Sequence, residues 1–65
     1  MQKIRISAHY KTPTSTSAQW GSFETVVPIE VARQLLSDKA ARERLFRQFY
    51  PTAIWVDKNV DFAWL

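Results

Sequence analysis

The stretch Gln2-Lys3-Ile4-Arg5-Ile6-Ser7-Ala8-His9-Tyr10 decides the fold. Ile4, Ile6, Ala8 and Tyr10 fall at one parity, and Lys3, Arg5, Ser7 and His9 at the other. A period of two carried by β-branched residues predicts a strand with one buried face and one wet face. The next seven residues, Lys11 to Ser17, are polar and include Pro13, which makes them a loose hairpin connection. A second strand, antiparallel to the first, is then expected over Ala18 to Val27. Phe23, Thr25 and Val27 share one of its faces, and Trp20 has the other parity. Gly21, the only glycine, stands between them, and a lone glycine in a strand often marks a bulge. A bulge there would turn Trp20 to the side of Phe23. Without one, Trp20 stays on the outer face.

Downstream the period changes. Pro28 suits the first turn of a helix, where its missing N–H has no partner to lose. Glu30 follows in that turn, where the helix dipole favours an acid. Val31, Ala32, Leu35 and Leu36 make an apolar stripe at helical spacing. Ser37-Asp38 interrupts it, with Ser37 expected to cap a second helix. That helix runs from about Asp38 to Phe49 and buries Ala41, Leu45, Phe46 and Phe49, with Lys39, Arg42, Glu43, Arg47 and Gln48 toward water. Pro51 stops it, because a residue before proline disfavours helical angles. In the tail, Ile54 and Val56, then Val60, Phe62 and Trp64, alternate on either side of Asp57-Lys58-Asn59. That pattern predicts a hairpin, with a single strand and an irregular tail as the alternative. The expected fold is therefore β-β-α-α-β-β, a small α+β domain over residues 1–65 with two short helices on one face of an antiparallel sheet.

Composition narrows the function classes. The chain has 65 residues, nine of them aromatic, no cysteine and one histidine. A domain this small buries only ~60% of its unfolded surface. Disulfides cannot help it, and structural zinc, which takes Cys and His ligands, has almost nothing to bind. A dense aromatic core or a homodimer remains as the source of stability. No apolar run approaches the ~18 residues of a membrane span, and the start Met1-Gln2-Lys3-Ile4-Arg5 has no secretory h-region, so a cytoplasmic location is expected. The formal charge of +3 permits an anionic partner without requiring one. In scale, and read as whole from start to end, the chain resembles the small accessory proteins of bacteria, phages and mobile elements; no motif carries that likeness.

Catalytic material is sparse. His9 is the only candidate base and falls on the predicted wet face. The six carboxylates Glu24, Glu30, Asp38, Glu43, Asp57 and Asp61 are scattered and read as turn and cap residues. One glycine makes no phosphate-cradling loop, and neither a cofactor nor a metal is implied. The chain therefore reads as a non-enzymatic binding module. Two surfaces are candidates. The outer sheet face gathers Arg5, His9, Trp20 and Trp55, residue types enriched in protein interfaces, and is the expected partner-binding surface unless the two tryptophans pack on each other. The second reading is nucleic-acid binding by Lys39, Arg42, Arg44 and Arg47 on the helix, joined by Lys3 and Arg5. Of the two, a protein partner is favoured over nucleic acid, and a homodimer is compatible with both.

Overall fold

A computed structural model describes residues 1–65. The elements are β1 (Gln2–Lys11), β2 (Gln19–Val27), α1 (Ile29–Ser37), α2 (Lys39–Phe49), β3 (Trp55–Val56) and β4 (Asp61–Trp64). β1 is the central strand, and both of its edges are occupied by antiparallel neighbours, β2 on one side and β3 and β4 on the other. The alternation of β1 becomes geometry directly. Ile4, Ile6 and Ala8 are fully buried beneath the helices, while Lys3, Arg5 and His9 face outward.

Two expectations for the strands need correction. β2 carries no bulge at Gly21: the register is unbroken from Gln2 opposite Val27 to Tyr10 opposite Gln19. Trp20 therefore lies opposite His9, on the outer face. Gly21 lies on the inner face opposite Ala8, under the rings of Tyr10, Phe46 and Tyr50. The glycine marks a close approach to the backbone, the other meaning a lone strand glycine can have.

The tail is not a hairpin either. β3 and β4 do not pair with each other; both pair with β1 and together form one interrupted strand. Between the pairs Tyr10–Val56 and Ser7–Asp61 the tail holds two more residues than β1. The extra length tucks Val60 into the core, and the Asp57 carboxylate accepts from the Asn59 N–H at 2.9 Å to fix the bend. The physical reason is that β1, already ordered by β2, offers a long open edge. Its carbonyls at Lys11, His9 and Lys3 accept from the N–H groups of Ile54, Asp57 and Leu65. A free hairpin of such short arms would be marginal at best.

The helical segment is two helices joined through Asp38, whose extended backbone (φ −126°, ψ 102°) ends one and starts the other. Its N–H donates to the Gln34 carbonyl, and its carboxylate accepts from the N–H groups of Ala40 and Ala41. Asp38, not Ser37, is thus the cap of α2; Ser37 is the last residue of α1 and turns its hydroxyl back toward the Arg33 and Gln34 carbonyls. Pro28 is the residue before α1 rather than its first. The stripe of α1 is narrower than expected, with Ala32 and Leu35 buried but Val31 and Leu36 exposed.

The centre of the molecule is aromatic. Phe46 on α2 is fully buried, stacked on Tyr50 at 4.5 Å and tilted against Tyr10 and Phe23. Phe49, expected in the core, lies at its rim: it stacks on Phe23 at 3.8 Å and keeps 47% of its surface exposed. Trp64 is likewise about half exposed.

Candidate functional site

The helices cover one face of the sheet and leave the other bare. Parity decides what stands there. Along β1 the outward residues are Lys3, Arg5, Ser7, His9 and Lys11; β2 adds Val26, Glu24, Ser22 and Trp20, and the tail strand adds Ala63, Asp61 and Trp55. The face divides into three zones along the strands.

One end is ionic. Glu24, opposite Arg5, accepts from its guanidinium at 2.9 Å and 3.2 Å, and Lys3 approaches the second oxygen at 3.4 Å. The Arg5 hydrogen bond, then that of Lys3, holds the Glu24 carboxyl below the usual range for a glutamate. A depressed folded pKa stabilises the fold above the unfolded value, and that contribution disappears as pH falls through the folded one. The cluster is exposed, so the effect is small and screened by salt. Glu24→Gln is expected to be slightly less stable than the parent near neutral pH and equal to it in strong acid. Thermal melts across pH check this; a difference that widens toward acid contradicts it.

The middle is a low waist, where the Ser7 and Ser22 hydroxyls share a hydrogen bond at 3.0 Å and Asp61 stands opposite Ser7. The far end is aromatic and cationic. Trp20 and His9 meet edge to face at 4.8 Å between ring centroids. On the other side of β1, Trp55 lies opposite Lys11, whose ammonium sits 5.4 Å from the indole centroid. Trp20 is 55% exposed and Trp55 42%. The two indoles thus flank β1 rather than pack on each other, with His9 and Lys11 between them.

Of the four outer-face residues singled out from the sequence, His9, Trp20 and Trp55 gather at this end, and Arg5 stands apart in the ionic zone. The helical basic set is not a single surface. Arg42 turns inward: its guanidinium donates to the carbonyls of Leu35 and Leu36 at the end of α1 and to that of Val60 at 2.9 Å. It ties the helical hairpin to the tail strand and stays half-buried, its donors taken up within the chain. Arg47 is paired with Glu43 at 3.2 Å. Only Lys39 and Arg44 remain exposed without an ion pair. A shallow depression of about 300 Å³ lined by Lys39, Ala40, Glu43, Lys58 and Asn59 lies where α2 begins, built from elements other than those that carry the tryptophans.

Sequence reasoning missed Lys11, although one more step of the same alternation reaches it. It also missed Tyr50, although Tyr50 stands four residues after Phe46 and continues the stripe of α2 one step past the helix end. The Tyr50 hydroxyl accepts from the Ser22 N–H and donates to the Ser22 carbonyl, both at 2.9 Å, closing the outer edge of β2 at that residue. No helix is long and apolar enough to cross a membrane, and no three metal-ligating side chains cluster. No protein-family model, curated protein or solved structure matches the chain.

Proposed function

We propose that this protein is a small non-enzymatic binding module that modulates a protein partner through the outer face of its sheet. The observation that carries the reading is the pair of half-exposed indoles of Trp20 and Trp55 on either side of His9 and Lys11, on a sheet face that no element of the chain covers. Large amphipathic rings held by neighbours lose little entropy on docking, and such rings tend to carry most of an interface's affinity. Arg5 adds a polar rim contact beyond the serine waist. The non-enzymatic reading is supported by the surroundings of His9: its ring rests edge to face against Trp20, and the Ser7 and Ser22 hydroxyls on the same face bond to each other.

The test is capture of a host protein by immobilised wild-type chain, followed by titration of that protein. Trp20→Ala and Trp55→Ala are each expected to weaken binding by at least about 30-fold, the scale of a loss of ~2 kcal/mol at a hot spot. Their melting curves should stay close to the parent's, as for surface substitutions. Retained affinity, or an unfolded Trp55→Ala, rejects the reading.

Single-stranded nucleic acid on the same aromatic end is the second reading, favoured by one observation: a lysine ammonium over one indole beside a second exposed indole. The helical set contributes less to it than its composition suggests, because Arg42 and Arg47 are engaged within the fold. A gel-shift titration with a single-stranded oligonucleotide at two salt concentrations separates the readings. Nucleic acid demands binding that falls steeply with salt.

A further inference from the structure

The sheet has two long edges, and they are not alike. One is the interrupted strand β3–β4, kinked by its two extra residues and so self-protected. The other is β2, nine residues long, in unbroken register, without a proline, and paired on one side only. Tyr50 marks which of its backbone groups point outward. Since the Ser22 N–H and C=O both meet the Tyr50 hydroxyl beyond the edge, alternation sends those of Glu24 and Val26 the same way. No hydrogen bond of the chain takes them up.

We infer that this edge is a pairing site for a second copy of the same chain, joined antiparallel about a two-fold axis at Thr25. Four features select that register. Glu24 of one copy then exchanges both backbone hydrogen bonds with Val26 of the other, and by symmetry the reverse, so the free groups of both residues are used. Ser22, already closed by Tyr50, falls opposite Pro28, which has no N–H to lose. On the inner face Phe23 comes opposite Val27, beside the half-exposed Phe49 that stacks on Phe23. Thr25 meets Thr25, a favourable cross-strand pair, and Glu24 meets an apolar neighbour. Centring the axis on Glu24 instead would set two carboxylates against each other, and centring it on Phe23 or Ser22 would require the tyrosine to let go. The product is a closed, isologous dimer with one continuous six-stranded sheet, in which the two bare outer faces merge. It does not depend on the binding role of Trp20 and Trp55, and substitutions at those residues leave it in place.

The chain has no cysteine, which makes the axis directly testable. Residues facing each other at a non-hydrogen-bonded pair have Cα atoms about 4.5 Å apart, within disulfide reach. Under mild oxidation Thr25→Cys is expected to form a covalent dimer at least about tenfold faster than Ser17→Cys in the exposed loop. Charge at position 26 supplies an independent measure by sedimentation equilibrium. Val26→Glu, facing Glu24 of the partner copy twice, should raise the dimer dissociation constant by about fivefold or more, and Val26→Lys should lower it. Within one chain position 26 lies opposite Lys3, so effects on the monomer's stability run the other way and cannot imitate this result. Equal rates for the two cysteine variants, faster coupling of Glu24→Cys than of Thr25→Cys, the same response to both charges at 26, or a wild-type chain that stays monomeric at about 1 mM would each overturn the inference.

Discussion

Phe46→Ala is expected to remove about 3–5 kcal/mol of stability, the range for truncating a buried aromatic ring. At about 0.05–0.15 kcal/mol per residue, a chain of 65 residues has only ~3–10 kcal/mol to lose. The variant should therefore lose at least about a third of the chain's stability, and be largely unfolded at room temperature where the parent stands at the lower end of that range. Several observations put Phe46 at the top of the list. It is among the largest fully buried side chains, and it touches rings from three other places in the chain: Tyr10 on β1, Phe23 on β2 and Tyr50 beyond α2. These rings are held from their own sides, Tyr50 by its two bonds to Ser22 and Phe23 by its stack with Phe49. They cannot readily close over the gap, and a site that cannot collapse carries the full cost of its cavity. Urea denaturation followed by near-UV circular dichroism measures the effect. Phe49→Ala is the internal comparison: its ring is half exposed, so its loss should be less than half as large. Similar losses for the two variants would mean that the aromatic layer repacks and that Phe46 is not its centre.

The elements that could be read from the chain are those whose signal is local. β1 announces itself by parity alone, and parity also places Lys3, Arg5, Ser7 and His9 on the outer face without any knowledge of what covers the inner one. The two helices follow from a change of period and from Pro28 and Pro51. What stayed hidden depends on contacts between distant segments. Ile54–Val56 and Val60–Trp64 around Asp57-Lys58-Asn59 fit a hairpin as well as an interrupted strand. The choice falls to the open edge of β1, about fifty residues upstream. Arg42 has the spacing of a solvent-facing helix residue, yet the carbonyls that hold it belong to Leu35, Leu36 and Val60. At the candidate site, the outward position of Trp20 turned on whether Gly21 bulges, and that question is settled by rings on α2 and beyond it. The same glycine thus fixes both the core and the orientation of the surface tryptophan beside it.

Gly21 is for that reason the position where the smallest change should do the most. A β-carbon there would lie 2.8 Å from Tyr10 Cε1 and 3.0 Å from both Phe46 Cζ and Tyr50 Cζ. Ordinary carbon contacts are about 3.5–4.0 Å. The backbone angle is not the obstacle, since no residue of the chain has a positive φ. On conformational grounds alone Gly21→Ala would gain about 0.4–1 kcal/mol by restricting the unfolded chain. Against this stands overpacking at about 1–3 kcal/mol. The contacting atoms are not the loose ends of flexible chains; they belong to three mutually packed rings, one anchored through its hydroxyl to the neighbouring residue Ser22. Relief for one ring presses on the next. Gly21→Ala should therefore be destabilised by about 1–2 kcal/mol net, and Gly21→Val, with two more carbons in the same space, by considerably more. Truncating a contacting ring tests the cause: in the Tyr50→Ala background the penalty for Gly21→Ala should shrink or reverse, because the alanine methyl then has room and the gain from a stiffer unfolded chain is uncovered. Thermal or urea unfolding of the four chains completes the cycle. A Gly21→Ala variant as stable as the parent, or a penalty unchanged by removal of the Tyr50 ring, would show that the aromatic layer does not rest on the backbone of β2 at this point.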